Sequence, residues 1–199
     1  MTTLFIKSSA LGEYSVTNEL VDFARSLLPD GASSALHDFG AQPLPHLDAS
    51  LLQALSTPVH QRSPEQTARA KDAEALTAEL LEAKTLVIGA SMYNFGVSST
   101  LKSYLDHVMR AGATFRYGPN GPEGLATGKR AILVVASGGV YSQGPAAPLD
   151  FVTPYLRSAL SFIGITDVTV VRAEGVAFGP DARSQTVAAA KAQLAQLLG

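Results

Sequence analysis

Hydroxyl side chains cluster near the start of the chain, between a short apolar run and a helical pattern. Residues 7–20, KSSALGEYSVTNEL, contain Ser9, Ser15 and Thr17, and a helix is predicted to begin near Ser15. A helix N-terminus offers free N–H groups and the positive end of the dipole, which suit a phosphate. Neither a Walker motif nor GxGxxG occurs here, which disfavours a nucleoside triphosphatase and a Rossmann dehydrogenase. The alternative is that Ser15 only caps the helix.

A group of large side chains follows the buried run at residues 86–88. Met92, Tyr93 and Phe95 are suited to lie against a flat ring. Asn94 and the backbone amides would then face the polar edge of that ring. The alternative is a hydrophobic plug that closes the end of the sheet.

Paired glycines mark a third loop, ASGGVYSQG, after the apolar run at residues 131–136. Ser137, Gly138 and Gly139 would let the backbone approach a ligand closely, although they also fit a tight turn. Together the three loops would surround one crevice with phosphate donors, an aromatic wall and a glycine-lined edge. A flavin mononucleotide (FMN) requires this combination.

The order of elements predicts how these loops meet. Five apolar runs alternate with amphipathic helical patterns, at residues 4–6, 34–36, 86–88, 131–136 and 168–171. Strict alternation indicates parallel strands joined by right-handed crossovers. We therefore predict one domain over residues 1–199, a three-layer α/β/α sandwich with a five-stranded parallel sheet of order 2-1-3-4-5. Ligands bind such sheets where the strand order reverses, here between strands 1 and 3.

Composition limits the classes of function. The 199-residue chain is 46% apolar and 16% charged with a net charge of −2, so nucleic acid and anionic membranes are not expected partners. It contains no cysteine, which excludes disulfides and thiolate chemistry and fits a cytoplasmic protein. No GxSxG motif and no metal-ligand spacing is present, and His107 is expected on the exposed side of its helix.

Two segments, residues 38–64 and 112–129, exceed ordinary loop length and are predicted to be loops. Within the second, residues 114–125 are interpreted as a lid that bends at its three glycines. Phe115 and Tyr117 would cover the flavin or the substrate, or else contact a second subunit. Arg116 is a candidate partner for an anionic group of the substrate.

Several stretches carry a resemblance to a known family. They are MYNFGVSSTLKSYLDHVMRAGATFRYGPNGPEGL at residues 92–125, GPAAPLDFVTPYLRSALSFIGITDV at 144–168 and AEGVAFGP at 173–180. With KSS and YSVTNEL near the N-terminus, they resemble the FMN-dependent NADH-azoreductases, also described as NADH:quinone oxidoreductases. The resemblance implies a flavodoxin-like homodimer with one FMN per subunit at the interface. NADH would donate a hydride, and quinones or azo compounds would then accept two electrons in a ping-pong cycle, azo bonds being cleaved to amines.

The resemblance also implies a set of cofactor contacts. Ser9, Ser15, Val16 and Thr17 would hold the phosphate, Met92 to Phe95 would line the isoalloxazine ring, Ser137, Gly138, Gly139 and Val140 would touch its pyrimidine side, and Phe162 would reach the flavin of the partner subunit. The sequence departs from the family pattern twice. Many members have Ser-Arg-Gly-Gly where this chain has Ser-Gly-Gly-Val, and many have Gln where it has Val16. The flavin carries the hydride chemistry, so no catalytic side chain is expected.

Other functions remain open from the sequence alone. A flavodoxin-type electron carrier would share the fold, but carriers are typically strongly acidic, and this chain is nearly neutral. A non-catalytic flavodoxin-like scaffold would not bind FMN. A related flavin reductase of other small electrophiles would use the same site.

Overall fold

The computed structural model describes residues 2–199. In chain order its strands are β1 Thr3–Lys7, β2 Ser34–Asp38, β3 Thr85–Ser91, β4 Phe115–Gly118, β5 Gly121–Gly124, β6 Arg130–Ala136 and β7 Asp167–Ala173. Five of them form a parallel sheet in the order β2-β1-β3-β6-β7. The predicted five-stranded parallel sheet is confirmed.

The numbering of the sheet differs from the predicted 2-1-3-4-5 because of an unforeseen hairpin. Strands β4 and β5 pair with each other in antiparallel fashion and lie, along the chain, between the third and fourth strands of the main sheet. The segment of residues 112–129, predicted as a loop, is therefore partly regular structure. The strand order still reverses between β1 and β3, where the ligand was expected.

Within residues 2–199, six α-helices accompany the strands. They are α1 Val16–Ser26, α2 Ala49–Ser56, α3 Pro64–Glu82, α4 Ser99–Val108, α5 Thr153–Phe162 and α6 Pro180–Leu198. Helix α2 was not predicted, because residues 38–64 were expected to be a loop; Asp48 caps it by accepting a hydrogen bond from the Leu51 N–H at 2.7 Å. None of the helices described between residues 2 and 199 is long and apolar enough to cross a membrane.

Both faces of the sheet are buried, which explains why its strands show no polar alternation. One face packs against α1 and α6 through a cluster that includes Phe5, Leu20, Val87, Val134 and Leu194. The other packs against α3, α4 and α5 through a larger cluster that includes Leu4, Ile88, Leu105, Leu133 and Leu156. Each buried side chain of this size contributes about 1.5–3 kcal/mol. The three layers hold the carboxyl ends of the strands at one rigid edge.

The sequence pattern predicted His107 on the exposed side of its helix, and this prediction is wrong. His107 is buried, and its Nδ1 lies 2.8 Å from the carbonyl oxygen of Ser103. The buried arc of α4 is wider than the stripe of leucines indicated, because α3 packs against the helix beside the sheet. His107 is therefore part of the core.

Candidate functional site

A cavity of about 290 Å³ lies beyond the carboxyl ends of the central strands. Four segments that follow strands contribute its lining: Tyr14 and Val16 after β1, Met92 and Tyr93 after β3, Ser137 and Gly138 after β6, and Val176 and Arg183 after β7. The first three are the loops that the sequence predicted to meet. The cavity therefore lies at the point where the strand order of the sheet reverses.

A chain of hydroxyl groups joins the start of α1 to the end of β3; its members Ser15 and Thr17 are buried behind the cavity, and Ser91 lines it. Ser15 caps α1, since its Oγ accepts a hydrogen bond from the Asn18 N–H at 3.2 Å. Its Oγ is also 3.0 Å from the Oγ1 of Thr17, which lies 2.8 Å from the Oγ of Ser91. The first-turn N–H groups of Val16 and Thr17 have no acceptor within the helix. These groups form a set of neutral donors at the positive end of a helix dipole, which suits a phosphate.

Tyr93 connects the two principal loops. Its hydroxyl lies 2.9 Å from the Oγ of Ser9 and accepts a hydrogen bond from the Ala10 N–H at 3.1 Å. Ser8 adds a second link by donating to the carbonyl of Gly89 at 2.7 Å. Tyr93 thus lines the cavity and also fixes the loop after β1.

The residues after Tyr93 form a tight turn. Tyr93 and Gly96 exchange two backbone hydrogen bonds, of 2.9 and 3.0 Å. Asn94 and Phe95 between them have φ angles of 48° and 70°, in the left-handed region that non-glycine residues rarely adopt. These two residues do not line the cavity, and Phe95 instead packs edge-on against Tyr141, with centroids 6.2 Å apart. Strain of this kind often marks a functional turn.

The glycine loop after β6 is held by the loop after β7. The N–H groups of Val176 and Ala177 donate to the carbonyls of Ser137 and Gly138 at 3.2 and 3.1 Å, and Gly175 donates to Gly139 at 3.0 Å. Ser137 and Gly138 line the cavity, whereas Gly139 and Val140 do not. The backbone of this loop is therefore fixed before any ligand arrives.

Arg183 is the main feature of the cavity that the sequence did not reveal. It lies in the first turn of α6, and its Nη2 is 3.1 Å from the Oε2 of Glu19. A usable signal did exist: in a parallel sheet the segment after the last strand begins at the same edge as the segments after the other strands. The segment AEGVAFGP carries the family resemblance but does not by itself indicate a contact with the cavity.

Three predicted residues lie elsewhere in the protomer. Phe115 and Phe162 pack with ring centroids 4.7 Å apart and line a separate cavity of about 650 Å³ beside α4 and α5. Tyr117 is 74% exposed and packs edge-on against Phe115. The 650 Å³ cavity shares no lining residue with the one at the strand ends.

The predicted lid, residues 114–125, forms the hairpin β4–β5, and the base of this hairpin is fixed to the residues after α5. The Ala126 N–H donates to the carbonyl of Ile163 at 2.8 Å, and a Cβ added at Gly124 would lie 2.1 Å from the nitrogen of Gly164. Gly124 thus permits close packing rather than bending. Arg116, predicted to attract an anionic substrate group, is paired with Glu123 at 2.7 Å.

The donor set at the strand ends fits FMN. The lining combines hydroxyl groups, free N–H groups and one arginine, with no carboxylate among the lining residues that the structure describes. Met92 and Tyr93 supply apolar surface, and Gly138 leaves room for a ring edge. In residues 2–199, no three or more His, Asp or Glu residues are grouped to hold a metal ion.

Fold and cavity together define a flavodoxin-like protein. A family model described as a flavodoxin-like fold matches residues 1–198, and the chain belongs to that family. It is 51% identical over 161 residues to an FMN-dependent NADH:quinone oxidoreductase of Herminiimonas arsenicoxydans, covering 81% of this chain and 79% of that protein. A protein of the same name from Agrobacterium fabrum is 45% identical over 197 residues, covering 98% and 96%. The crystal structure of an azoreductase from Bacillus anthracis is similar with a TM-score of 0.89 at 27% identity, covering 100% of this chain and 98% of that one. The resemblance drawn from the sequence is confirmed.

We expect Tyr93→Phe to loosen the loop after β1. The change removes the hydroxyl that contacts Ser9 and Ala10, so the free energy of unfolding should fall by about 1 kcal/mol. FMN affinity should fall by about threefold to tenfold, as measured by titration of the apoprotein. Tyr14→Phe is the matched control, because Tyr14 is an exposed ring that lines the same cavity. Equal effects of the two substitutions would contradict the role given to Tyr93.

Proposed function

We propose that the protein is an FMN-dependent NADH:quinone oxidoreductase that also reduces azo compounds to amines. One observation carries the proposal: Val16 at the start of α1, Ser91 at the end of the hydroxyl chain and Tyr93 after β3 line one cavity that is free of lining carboxylates among the described residues. The names of the relatives support the same reading.

In this proposal the loop after β1 holds the phosphate. Ser9, Ser15 and Thr17 supply hydroxyl donors, and Val16 supplies its backbone N–H. Met92 and Tyr93 form the wall against the ring, with Asn94 and Phe95 completing the turn beside it. Ser137 and Gly138 meet the pyrimidine edge. Gly139 holds that loop in place by accepting the N–H of Gly175, and Val140 follows it in the loop. Bound FMN supplies two-electron redox chemistry between NADH and the acceptor.

The part of the chain in catalysis is to bind, orient and exclude water. The cavity loops are joined to one another by hydrogen bonds, so they are pre-organised and need little reordering when a ligand binds. No side chain is required as a general acid or base. NADH and the acceptor would occupy the same exposed face in turn, which predicts ping-pong kinetics.

An exposed apolar face supports a homodimer with the active site at its interface. Phe151 is 58% exposed and lines a cavity of about 870 Å³ with Pro148, Pro154 and Tyr155. Its N–H donates to the carbonyl of Phe95 at 3.1 Å, so this face adjoins the loop after β3. A second subunit would cover the face and bring its own Phe162 towards this flavin.

The test is to purify the protein, record its visible spectrum and follow NADH oxidation with benzoquinone and with an azo dye. We expect a flavin spectrum, rapid NADH oxidation with both acceptors, and parallel lines in double-reciprocal plots. Bound FMN with only slow NADH oxidation would indicate an electron carrier instead. A protein that neither carries nor binds FMN would overturn the proposal.

We expect Phe115→Ala to change acceptor kinetics more than cofactor retention. Phe115 packs against Phe162, so its loss should raise the KM for quinone and for dye by about fivefold. FMN affinity should stay within about twofold, because neither Phe115 nor Phe162 lines the cavity at the strand ends. Sedimentation at the assay concentration separates this effect from a dimer defect. A variant that dissociates into monomers, with both activities equally reduced, would assign Phe115 to the interface alone.

A further inference from the structure

Arg183 is the one cationic side chain in the lining of the strand-end cavity, among the residues that the structure describes. Its guanidinium is held by Glu19, which lies in the first turn of α1. Glu19 lies about one helical turn along α1 from Val16, which lines the cavity together with Arg183 and whose N–H is proposed to bind the phosphate of FMN.

Glu19 does not depend on Arg183 alone. The Nζ of Lys191 lies 2.8 Å from its Oε1, while Arg183 contacts Oε2 at 3.1 Å. The hydrogen bond from Lys191, supported by the charges of Lys191 and Arg183, holds the pKa of Glu19 below its usual value. Two cations thus share one carboxylate, and Arg183 can turn away while Glu19 keeps a partner. The side chain of Arg183 is 42% exposed, which leaves it room to turn.

The phosphate end of the cavity otherwise offers neutral donors only. Besides Arg183, the lining offers neutral groups such as the hydroxyls of Ser91 and Ser137 and the backbone of Val16, which leave a phosphate dianion without another counter-charge. Guanidinium forms charge-assisted, often bidentate, hydrogen bonds to phosphate. It also carries less hydration than an ammonium group, so it loses less on entering a partly enclosed site.

We propose that Arg183 turns from Glu19 to the phosphate of FMN and adds to the preference of the apoprotein for FMN over riboflavin. The proposal rests on the proposed function, because it needs the phosphate to lie at the start of α1. It assigns Arg183 to cofactor recognition rather than to electron transfer.

The test compares FMN with riboflavin, which lacks the phosphate, by fluorescence titration of the apoprotein. Arg183→Ala should raise the dissociation constant for FMN about tenfold, an effect kept modest by the exposure of the side chain. The dissociation constant of Arg183→Ala for riboflavin should stay within about twofold of that of the natural protein. Arg183→Lys should fall between the alanine variant and the natural protein. Salt should weaken FMN binding more in the natural protein than in Arg183→Ala.

Glu19→Gln separates a phosphate contact from a structural ion pair. If Arg183 binds phosphate, this variant frees it and should bind FMN as tightly as the natural protein or more tightly. If Glu19→Gln loses FMN affinity as Arg183→Ala does, the pair is structural and the proposal fails. Equal losses for FMN and riboflavin, or no loss at all, would overturn it as well. A natural protein that binds neither flavin would instead refute the cofactor assignment itself.

Discussion

Gly40→Ala is expected to lower the free energy of unfolding by about 2–3 kcal/mol and to weaken FMN binding at least about tenfold. A Cβ at Gly40 would lie 2.0 Å from the carbonyl oxygen of Ser9 and 2.9 Å from its carbonyl carbon. Both are backbone atoms, so the clash cannot be relieved by turning a side chain. Ser9 must move, and with it the loop that is proposed to hold the phosphate.

The surroundings of Gly40 prevent Gly40 from moving away from Ser9 instead. Its N–H donates to the Oδ1 of Asp38 at 3.1 Å, and the neighbouring Phe39 N–H donates to the carbonyl of Lys7 at 2.9 Å. Phe39 is buried and stacks on Tyr104 with centroids 5.1 Å apart. The loop after β2 is therefore fixed to both the sheet and the core. The strain must fall on Ser9 and on its contact with Tyr93.

Gly31→Ala provides the comparison for this substitution. Gly31 has a φ of 80°, and a Cβ there would meet no atom within 4 Å. Its replacement should cost about 1 kcal/mol through backbone strain and leave FMN affinity unchanged. Urea unfolding of each apoprotein and FMN titration measure both effects. A Gly40→Ala protein that is as stable as the natural one would show that the loops after β1 and β2 are not in close contact.

Strands β1, β3 and β6 were predictable because each contains a continuous apolar run that is buried on both faces, as in Leu86 to Ile88. Helix α2 was not, because it has only eight residues and follows a proline-containing segment. It is stabilised by burying Leu51 and Ala54 in contact with α3, a tertiary effect that no local pattern contains. The hairpin β4–β5 was missed for a similar reason. Its short strands contain glycine and Pro122, and its base is held by Ile163 and Gly164.

The residues of the candidate site also fall into two groups, those that local sequence predicts and those that depend on tertiary contacts. Ser15 could be placed from sequence because an N-cap is set by neighbouring residues, and Met92 because it follows a buried strand directly. The link from the Tyr93 hydroxyl to Ser9 needs two segments far apart in the chain, so no local pattern predicts it. Arg183 comes to the cavity through the register of β7 and the direction of α6. The left-handed conformation of Phe95 has no signal in its residue type, which disfavours it.

Removing both hydroxyls at the start of α1, by Ser15→Ala with Thr17→Val, is expected to raise the dissociation constant for FMN at least about a hundredfold. Each hydrogen bond to a charged group contributes about 1.5–3 kcal/mol, and two are lost. Valine has nearly the same shape as threonine, so it should preserve the packing of residue 17 beside the backbone of Gly89. The fold should therefore survive, with a loss of about 1 kcal/mol from the missing cap of α1.

Ser63→Ala gives a matched loss of a helix cap away from the cavity. Ser63 caps α3 by accepting from the Gln66 N–H at 3.2 Å, as Ser15 does for Asn18 in α1. Ser63→Ala and the double variant at Ser15 and Thr17 should each lower the free energy of unfolding by about 1 kcal/mol. Only the double variant at Ser15 and Thr17 should lose FMN. If Ser63→Ala also loses FMN, the effect of the double variant reflects stability rather than contact with the phosphate.

The single variants add a further test, because the two hydroxyls contact each other at 3.0 Å. Groups in direct contact rarely have additive effects on binding. When Ser15 is replaced, Thr17 can still turn its hydroxyl from Ser91 to the phosphate, so each single loss should be smaller than half of the double loss in free energy. Strictly additive losses would mean that the hydroxyls act separately. Unchanged FMN affinity in the double variant would place the phosphate at another loop and remove the basis for the assignments at the start of α1, that of Arg183 included.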